Sequence, residues 1–268
     1  MSINVKNSQN PLFGLTFQFQ PILAADGKRL LAYETLARRS LQDGTIQGPS
    51  VIMAGLLHPE RIESFTRLSL QFALARLDAD PYLPALSVNL SPRQVELPVA
   101  TAVIGQAPLR VRRRLMVELT EDPIIDQPEL PRVLEGLAAS GVRIFLDDIT
   151  PGSQQRISSL RGAVHGLKLD RSVLPALAAE HTPSEAQEFL DEATDSGLLL
   201  VAEGVEDIDV LARLASRGVS FFQGFALGEP WSEPRVARRR IVAPRNGAFM
   251  PEPELMSAHG RFSCAKHN

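Results

Sequence analysis

The stretch VRIFLDDITPGSQQRISSLRGAVHGLKLDRS, residues 142–172, carries the pattern that decides the fold. It contains two short β-type runs, residues 142–146 and 164–169, and both lead into charged residues. Similar runs alternate with longer segments of helical period along the rest of the chain. This alternation predicts a parallel sheet built from strand–helix units.

Eight strands are predicted, and they favour an α/β fold, a (β/α)₈ TIM-type barrel with an antiparallel first strand. The first two strands are separated only by the turn-like Ala25-Asp26-Gly27-Lys28, which is too short for a crossover helix, so they are predicted to form an antiparallel hairpin. Amphipathic helices are predicted at residues 62–72, 130–138 and 210–215. The predicted strands are residues 16–23, 30–36, 85–90, 115–119, 142–146, 164–169, 198–202 and 219–222.

The domain prediction is a barrel at residues 11–240 between two flexible ends. Residues 1–10 are predicted to be a flexible N-terminus, and residues 241–268, rich in proline and small polar residues, a flexible tail. The triplet Arg238-Arg239-Arg240 before the tail is interpreted as a solvated helix face because no aromatic residues are interleaved with it.

The composition excludes several classes of protein. A formal net charge of -3 over 268 residues provides no positive field to hold a nucleic-acid polymer. A single cysteine, Cys264, excludes an intramolecular disulfide and a Cys-x-x-Cys metal site. The polar N-terminus lacks a signal-peptide pattern and the apolar runs are too short to cross a bilayer, so we expect a cytoplasmic protein without membrane contact.

Polar residues lie at the ends of most predicted strands. In a (β/α)₈ barrel these ends meet at one mouth, where the residues that carry chemistry lie. Taken alone, each such residue is more often a helix cap or a solvated loop residue, but the same placement recurs on strand after strand. The residues are Glu34, Asn89, Glu118, Asp147, Asp148, Lys168, Asp170, Glu203, Glu206 and Gln223.

These side chains predict a divalent metal site. Neighbouring carboxylates repel each other and need a cation, and oxygen ligands favour Mg²⁺ or Mn²⁺ over zinc. The five histidines show no HxxH or HExxH spacing, which weakens a zinc interpretation. The adjacent Asp147 and Asp148 suit a two-metal site that activates water for phosphoester hydrolysis. Lys168 would orient that water or neutralise charge on the phosphate.

Taken in order, the motifs resemble the EAL family of cyclic di-GMP phosphodiesterases. FQFQPILAADGKRLLAYETLARRS, residues 17–40, is similar to that family's first hairpin, with Glu34-Thr35-Leu36 as the name-giving motif. SVNLSPRQ, VELTED, FLDDITPG, GLKLDRS, VAEGVED and FFQGFALGEP follow in the family's order, so the resemblance spans about residues 15–232.

The resemblance implies a hydrolase that opens cyclic di-GMP, a small-molecule ligand, to linear pGpG. It implies two Mg²⁺ or Mn²⁺ ions and a homodimer, and we expect Ca²⁺ to inhibit because it accepts a looser ligand shell. Regulation is expected from the dimer, from the tail or from a partner protein of unknown identity.

The resemblance also implies a role for each matched residue. The first metal would be held by Glu34, Asn89, Glu118 and Asp147, and the second by Asp147, Asp148 and Asp170. The catalytic residues would be Lys168 and Glu203 at the attacking water, Gln223, and Glu121 as the anchor of the loop after Asp148. The substrate-binding residues would be Gln20, Leu36, Arg38, Asn89, Asp148 and Glu206.

Three positions depart from the family's pattern. Thr35 replaces an alanine, Glu229 stands where the family tends to carry arginine, and the loop Phe-Gly-Thr-Gly becomes residues 149–152, Ile-Thr-Pro-Gly. The lost glycine and the added proline reduce conformational freedom where this loop must rearrange. One alternative is therefore an EAL-like cyclic di-GMP receptor or protein-interaction module with slow or absent catalysis. An unrelated metal-dependent barrel enzyme is a third interpretation, but histidine ligands would be expected there.

Overall fold

The structure is a computed structural model that describes residues 12–56, 58–121, 127–181 and 183–234. The predicted N-terminal segment 1–10, the arginine triplet at 238–240 and the predicted tail at 241–268 lie outside the described residues, as does Cys264.

Eight strands close into a barrel surrounded by helices. The sheet order is β1-β9-β8-β7-β6-β5-β4-β2-β3, and pairing of β1 with β2 closes the ring. All eight predicted strands are confirmed, while β3, a two-residue strand on the outer edge of β2, was not predicted. Within the described residues the strands are β1 Leu15–Ala24, β2 Leu30–Ser40, β3 Ile46–Gln47, β4 Leu86–Leu90, β5 Leu115–Leu119, β6 Arg143–Ile149, β7 Gly166–Leu169, β8 Leu199–Ala202 and β9 Phe221–Phe222.

The first strand runs against both of its neighbours, as predicted. It pairs antiparallel with β2 and with β9, whereas β2, β4 and the later ring strands pair parallel. The Asp26 carboxylate closes the connecting turn by accepting from the backbone N–H of Lys28 at 2.8 Å. In the β1–β2 register Gln20 lies opposite Glu34, so both reach the end of the barrel where the parallel strands finish.

Helices cover the outside of the barrel, and the three predicted amphipathic helices are confirmed as α2, α6 and α10. In α6 Leu130, Leu134 and Leu137 are buried, and the chain turns out of the helix through Gly141 at φ +100°. The helices are α1 Pro49–Ala54, α2 Pro59–Ala79, α3 Pro92–Glu96, α4 Pro98–Gln106, α5 Leu109–Arg112, α6 Leu130–Ala139, α7 Gln154–Leu160, α8 Leu174–Ala178, α9 Ser184–Asp195 and α10 Leu211–Ser216.

The barrel interior is layered, and this layering positions the polar residues. An apolar cluster takes one or two side chains from nearly every ring strand, which places it inside the ring; its buried members are Ile22, Ala24, Ala32, Ala85, Met116, Phe145, Val201 and Phe221. On β7 the equivalent position is Gly166, where a Cβ would lie 2.3 Å from the Phe145 ring. Side chains alternate along a strand, so the residue two positions towards the mouth shares this inner face.

No helix among the residues described is both long enough and apolar enough to span a membrane.

Candidate metal centre

The polar layer of the barrel lies directly above the apolar layer. Stepping two residues along each strand leads from Met116 to Glu118, and from Gly166 to Lys168. The same step on the other strands gives Gln20, Glu34, Asp147, Glu203 and Gln223, and Asn89 lies on the same face of β4. Eight of the predicted site residues are therefore brought together at the mouth.

Lys168 is the centre of this layer. Its side chain is 1% exposed, and its Nζ lies 2.7 Å from Glu118 Oε2, 3.3 Å from Asp147 Oδ1 and 3.7 Å from Glu34 Oε2. It also forms a close ion pair with Glu203. One buried ammonium thus faces four carboxylates, which leaves the cluster with excess negative charge at neutral pH if all four are ionised.

The pKa values follow from this imbalance. Burial alone would lower the pKa of Lys168, but the four carboxylates raise it well above its usual value, so the lysine stays charged. Burial, reinforced by the neighbouring acids, raises the pKa of Glu118 well above its ordinary range. Burial also raises the pKa of Glu203 to about 8, with Asp147 and Glu34 adding to the shift against Lys168.

Glu34 is held ionised by a hydrogen-bond network on one side of the barrel. Its Oε1 accepts from Asn89 Nδ2 at 2.6 Å, and its Oε2 accepts from Gln223 Nε2 at 2.5 Å. Although burial would raise the pKa of Glu34, Lys168 and these two amides keep it below its usual value. Gln20 completes the network: it accepts from Gln223 at 3.1 Å and donates to the Gly228 carbonyl at 3.0 Å.

The remaining oxygens of the cluster fit a hard cation. Among the described residues, Asn89 Oδ1 and Glu118 Oε1 are buried and accept no hydrogen bond, and the buried Asp147 Oδ1 faces Lys168 Nζ at 3.3 Å without a well-formed hydrogen bond. Buried oxygens without a donor are uncommon in folded proteins. Oxygens of this kind are the ligands that Mg²⁺ and Mn²⁺ prefer, so the chemistry of the donor set fits either ion.

A bulge in β6 brings two consecutive carboxylates to the mouth. Between the pairs Leu146↔Leu167 and Ile149↔Leu169, β6 has one residue more than β7. Asp148 takes up this residue at φ +54°, a left-handed conformation that is uncommon outside glycine. Carboxylate oxygens of Asp147, Asp148 and Glu203 consequently lie within 4.8 Å of one another. Burial, followed by Asp147 and Asp170, raises the pKa of Asp148.

The other predicted residues lie around this centre. Asp170 accepts from the Ser172 N–H at 2.9 Å through one carboxylate oxygen, and its pKa is lowered by Ser172. Arg38 lies further along β2 and donates to Gln18 at 2.9 Å, while Leu36 is half-buried opposite Gln18. Glu121 is exposed beyond the end of β5. The structure therefore does not place Leu36, Arg38 or Glu121 in contact with Lys168.

A cavity of about 230 Å³ opens from the cluster and includes residues that the sequence analysis did not single out. Predicted residues such as Glu206 line it, and so do Arg171 and Phe225, whose side chain is 65% exposed. Gly204 at φ +62° lets Arg171 approach, because a Cβ there would lie 2.6 Å from that of Arg171. Neither residue ends a strand, which is why the strand-end pattern missed them.

The divergent loop forms a short helical turn. Residues Pro151–Ser153 make a 3-10 turn that continues into α7. The Thr150 N–H donates to Ser153 Oγ at 3.2 Å, and the Ser153 N–H donates to the Thr150 carbonyl at 2.9 Å. Thr-Pro is a favourable start for such a turn. The proline and the Thr150–Ser153 hydrogen bonds therefore stabilise one conformation of this loop, whereas the glycine in the family's loop allows several.

Comparison with known proteins gives a consistent picture. A family model described as "EAL domain" matches residues 9–230. A probable cyclic di-GMP phosphodiesterase, PdeN of Escherichia coli strain K12, is 31% identical over 118 residues, which are 44% of this chain and 23% of PdeN. The chain thus spans only a small part of the length of that relative.

Solved structures show the same fold. The PaMucR phosphodiesterase in complex with c-di-GMP superimposes with a TM-score of 0.64 at 25% identity, covering 81% of this chain and 92% of the other. The Xanthomonas citri FimX EAL domain in complex with c-diGMP gives a TM-score of 0.70 at 20% identity, covering 83% and 90%.

Proposed function

Since this chain belongs to the EAL domain family, we propose that it is a metal-dependent phosphodiesterase that hydrolyses cyclic di-GMP to linear pGpG. The observation that carries the proposal is the group of four carboxylates around Lys168, next to buried ligand oxygens that accept no hydrogen bond. The names of relatives support the substrate, because PdeN is named a probable cyclic di-GMP phosphodiesterase and PaMucR was solved with c-di-GMP.

Two sets of residues would hold the ions. Glu34, Asn89, Glu118 and Asp147 would hold the first, and Asp147, Asp148 and Asp170 the second. Bound Mg²⁺ or Mn²⁺ would polarise the scissile phosphate and lower the pKa of a coordinated water. The adjacency of Asp147 and Asp148 at the bulge supports a shared ligand between the two ions.

The chain's own residues would handle the proton and the developing charge. Hydrolysis adds the water oxygen to phosphorus and breaks one bond from phosphorus to a 3′ oxygen, which leaves as a hydroxyl. Glu203 forms an ion pair with Lys168, and a bound cation would lower its pKa from the value of about 8 that burial gives it, so the ionised carboxylate could accept the proton of the attacking water. Lys168 would offset charge that builds on the phosphate.

The cavity suits the reacting phosphodiester better than the whole dinucleotide. Its volume of about 230 Å³ is below the usual size of a small-molecule pocket, about 300–1,000 Å³, so the bases would lie towards the surface. Arg171 would pair with a phosphate, and the exposed Phe225 ring would stack on a base. Gln20, Leu36, Arg38 and Glu206 stay predicted ligand contacts, with Gln20 occupied in the structure by Gln223 and Gly228.

A second candidate function is a cyclic di-GMP receptor with slow or no turnover. The observation that favours it is the 3-10 turn that starts at Pro151, because proline fixes the backbone three residues after Asp148. In this case the ligand would bind at the same mouth, and the readout would pass to another protein.

One experiment separates the two functions. Purified protein is incubated with cyclic di-GMP and Mg²⁺ or Mn²⁺, and pGpG is followed by chromatography, with binding measured in parallel in Ca²⁺. Formation of pGpG that Glu34→Ala eliminates supports the enzyme. Binding without product would favour the receptor, and neither binding nor product would overturn both. The homodimer, the cytoplasmic location and a regulatory partner stay predictions.

A further inference from the structure

Arg156 on α7 links the ends of two barrel strands. Its Nη1 donates to the Asp147 carbonyl at 2.8 Å, and its Nη2 donates to the Leu119 carbonyl at 2.6 Å. Leu119 ends β5, and Asp147 follows Leu146, the last residue of β6 in register with β5. One half-buried guanidinium therefore joins the two strands just where their ladder stops.

The carbonyl of Asp147 lies at the start of the β6 bulge. Asp147 and Asp148 form no pair in the β6–β7 register, and Asp148 adopts φ +54°. A bulge leaves its residues outside the regular ladder, so its shape depends on other hydrogen bonds. The donor from Arg156 therefore helps to determine the direction of both carboxylates.

Acidic groups surround the same guanidinium. Burial lowers the pKa of Arg156, while Glu121, Asp147 and Asp148 act in the opposite direction, and Glu121 has the largest effect of the three. Arg156 thus lies between the residue predicted to anchor the loop and the two predicted metal ligands that follow β6. An arginine suits this position because its planar fork supplies two diverging donors and stays charged when partly buried.

We infer that Arg156 is a positioning residue of the metal centre, which holds the Asp147–Asp148 bulge in the shape that binds the second ion. The inference rests on the proposed two-metal site. It also accounts for how the Asp147–Asp148 bulge is held although the following residues, 149–152, lack a glycine that the family's loop has.

The test is a Mn²⁺ titration of the metal-free protein, read by electron paramagnetic resonance without substrate. The wild-type chain is expected to bind two ions. Arg156→Ala and Arg156→Lys are expected to bind the second ion roughly tenfold or more weakly, as is usual when a group that orients a ligand is lost. Millimolar guanidinium chloride should restore the second ion to Arg156→Ala, whereas sodium chloride at equal ionic strength should not.

Arg161→Ala is the matched control, because Arg161 follows α7 but pairs with the exposed Glu192 at 2.8 Å. It should bind Mn²⁺ as the wild type does. Wild-type Mn²⁺ binding in a folded Arg156→Ala protein would overturn the inference; if that variant does not fold, wild-type binding in Arg156→Lys, which keeps the aliphatic stem, would do so. A wild-type chain that binds no Mn²⁺ would instead overturn the proposed function, so the two failures are distinguishable.

Discussion

The side-chain N–H of Asn89 donates to Glu34 Oε1 at 2.6 Å. This hydrogen bond orients the amide so that its oxygen, Oδ1, is available to a cation. The Oδ1 of Asn89 then accepts no hydrogen bond among the described residues, although it is buried. Against the effect of burial, Lys168, Asn89 and Gln223 together keep the pKa of Glu34 below its usual value. The two residues therefore prepare each other as oxygen ligands before any ion binds.

Glu34→Ala is expected to abolish hydrolysis and leave the fold intact. The fold should survive because Lys168 retains Glu118, Asp147 and Glu203 as partners. Activity should be lost because a ligand at the barrel mouth is removed. The measurement is pGpG formation together with a thermal melt. Glu229→Ala, an exposed glutamate outside the cluster, is the control; full activity or unfolding of Glu34→Ala would contradict the prediction.

The inner-face residues were predictable because their positions follow from strand period alone. Glu118 and Lys168 lie two residues beyond Met116 and Gly166, and this spacing can be read from the sequence. The bulge at Asp148, with its φ of +54°, was not predictable, since it arises in the pairing of β6 with β7 and not in the residue pattern of β6 alone.

Residues outside strand ends escaped the sequence analysis for a related reason. Arg156 lies on a helix and reaches the Asp147 carbonyl, and Phe225 lies in the segment after β9 and lines the cavity, so both positions depend on tertiary packing. The strand β3 was missed because its two residues, Ile46 and Gln47, are too few to show any period.

Ca²⁺ is expected to bind the centre and to support turnover roughly 100-fold slower than Mn²⁺. It prefers oxygen distances of about 2.3–2.6 Å and more ligands than Mg²⁺, which requires about 2.0–2.1 Å. The proposed ligands Asp147 and Asp148 have carboxylate oxygens within 4.8 Å of each other, so they could bind the same ion. Steady-state rates with each ion, and a competition of Ca²⁺ against Mn²⁺, provide the measurement. Equal rates in the two ions would argue against a two-metal mechanism.

Lys168→Met is expected to destabilise the metal-free protein strongly. The lysine is the ion-pair partner of Glu118, which is 0% exposed, and removing one member of a buried pair typically costs about 3–5 kcal/mol. In a domain of this size the melting temperature should fall by roughly 10 °C.

Mn²⁺ should raise the melting temperature of Lys168→Met more than that of the wild type, because the freed carboxylates can bind the ion. Exposed Lys28 provides the control Lys28→Met, which should melt as the wild type does. An unchanged melting temperature in Lys168→Met would show that the carboxylates are already neutralised by protons.

His165 is expected to make the fold sensitive to acid. Burial, with a smaller effect of Arg143, lowers the pKa of His165, and its Nδ1 accepts the Ile144 N–H at 3.2 Å, which a protonated ring could not do. Because the folded pKa lies below the unfolded value of about 6.5, this stability is present above pH 6.5 and is lost as the pH falls through the folded pKa.

Thermal melts between pH 5 and 8 test this effect. The melting temperature of the wild type should fall more steeply towards low pH than that of His165→Asn, whose side chain does not titrate. The exposed His58 supplies His58→Asn, which should follow the wild-type curve. Parallel curves for wild type and His165→Asn would exclude His165 as the acid-sensitive group.

Changing Thr150 to Gly and Pro151 to Thr is expected to raise turnover several-fold with little effect on ligand affinity. The change removes the proline that starts the 3-10 turn and places a conformationally free glycine two residues after Asp148, while the ligands at the strand ends are untouched. Hydrolysis rates and calorimetric binding in Ca²⁺ are compared for the two proteins. Pro98→Thr, which alters an exposed proline at the start of α4, controls for general loss of rigidity.

Unchanged rate and affinity would show that the loop does not limit turnover. A wild-type rate equal to that of other EAL enzymes would show that residues 149–152 do not slow turnover. The Ile-Thr-Pro-Gly turn, together with Arg156, would then order the metal ligands as well as the family's glycine-containing loop does.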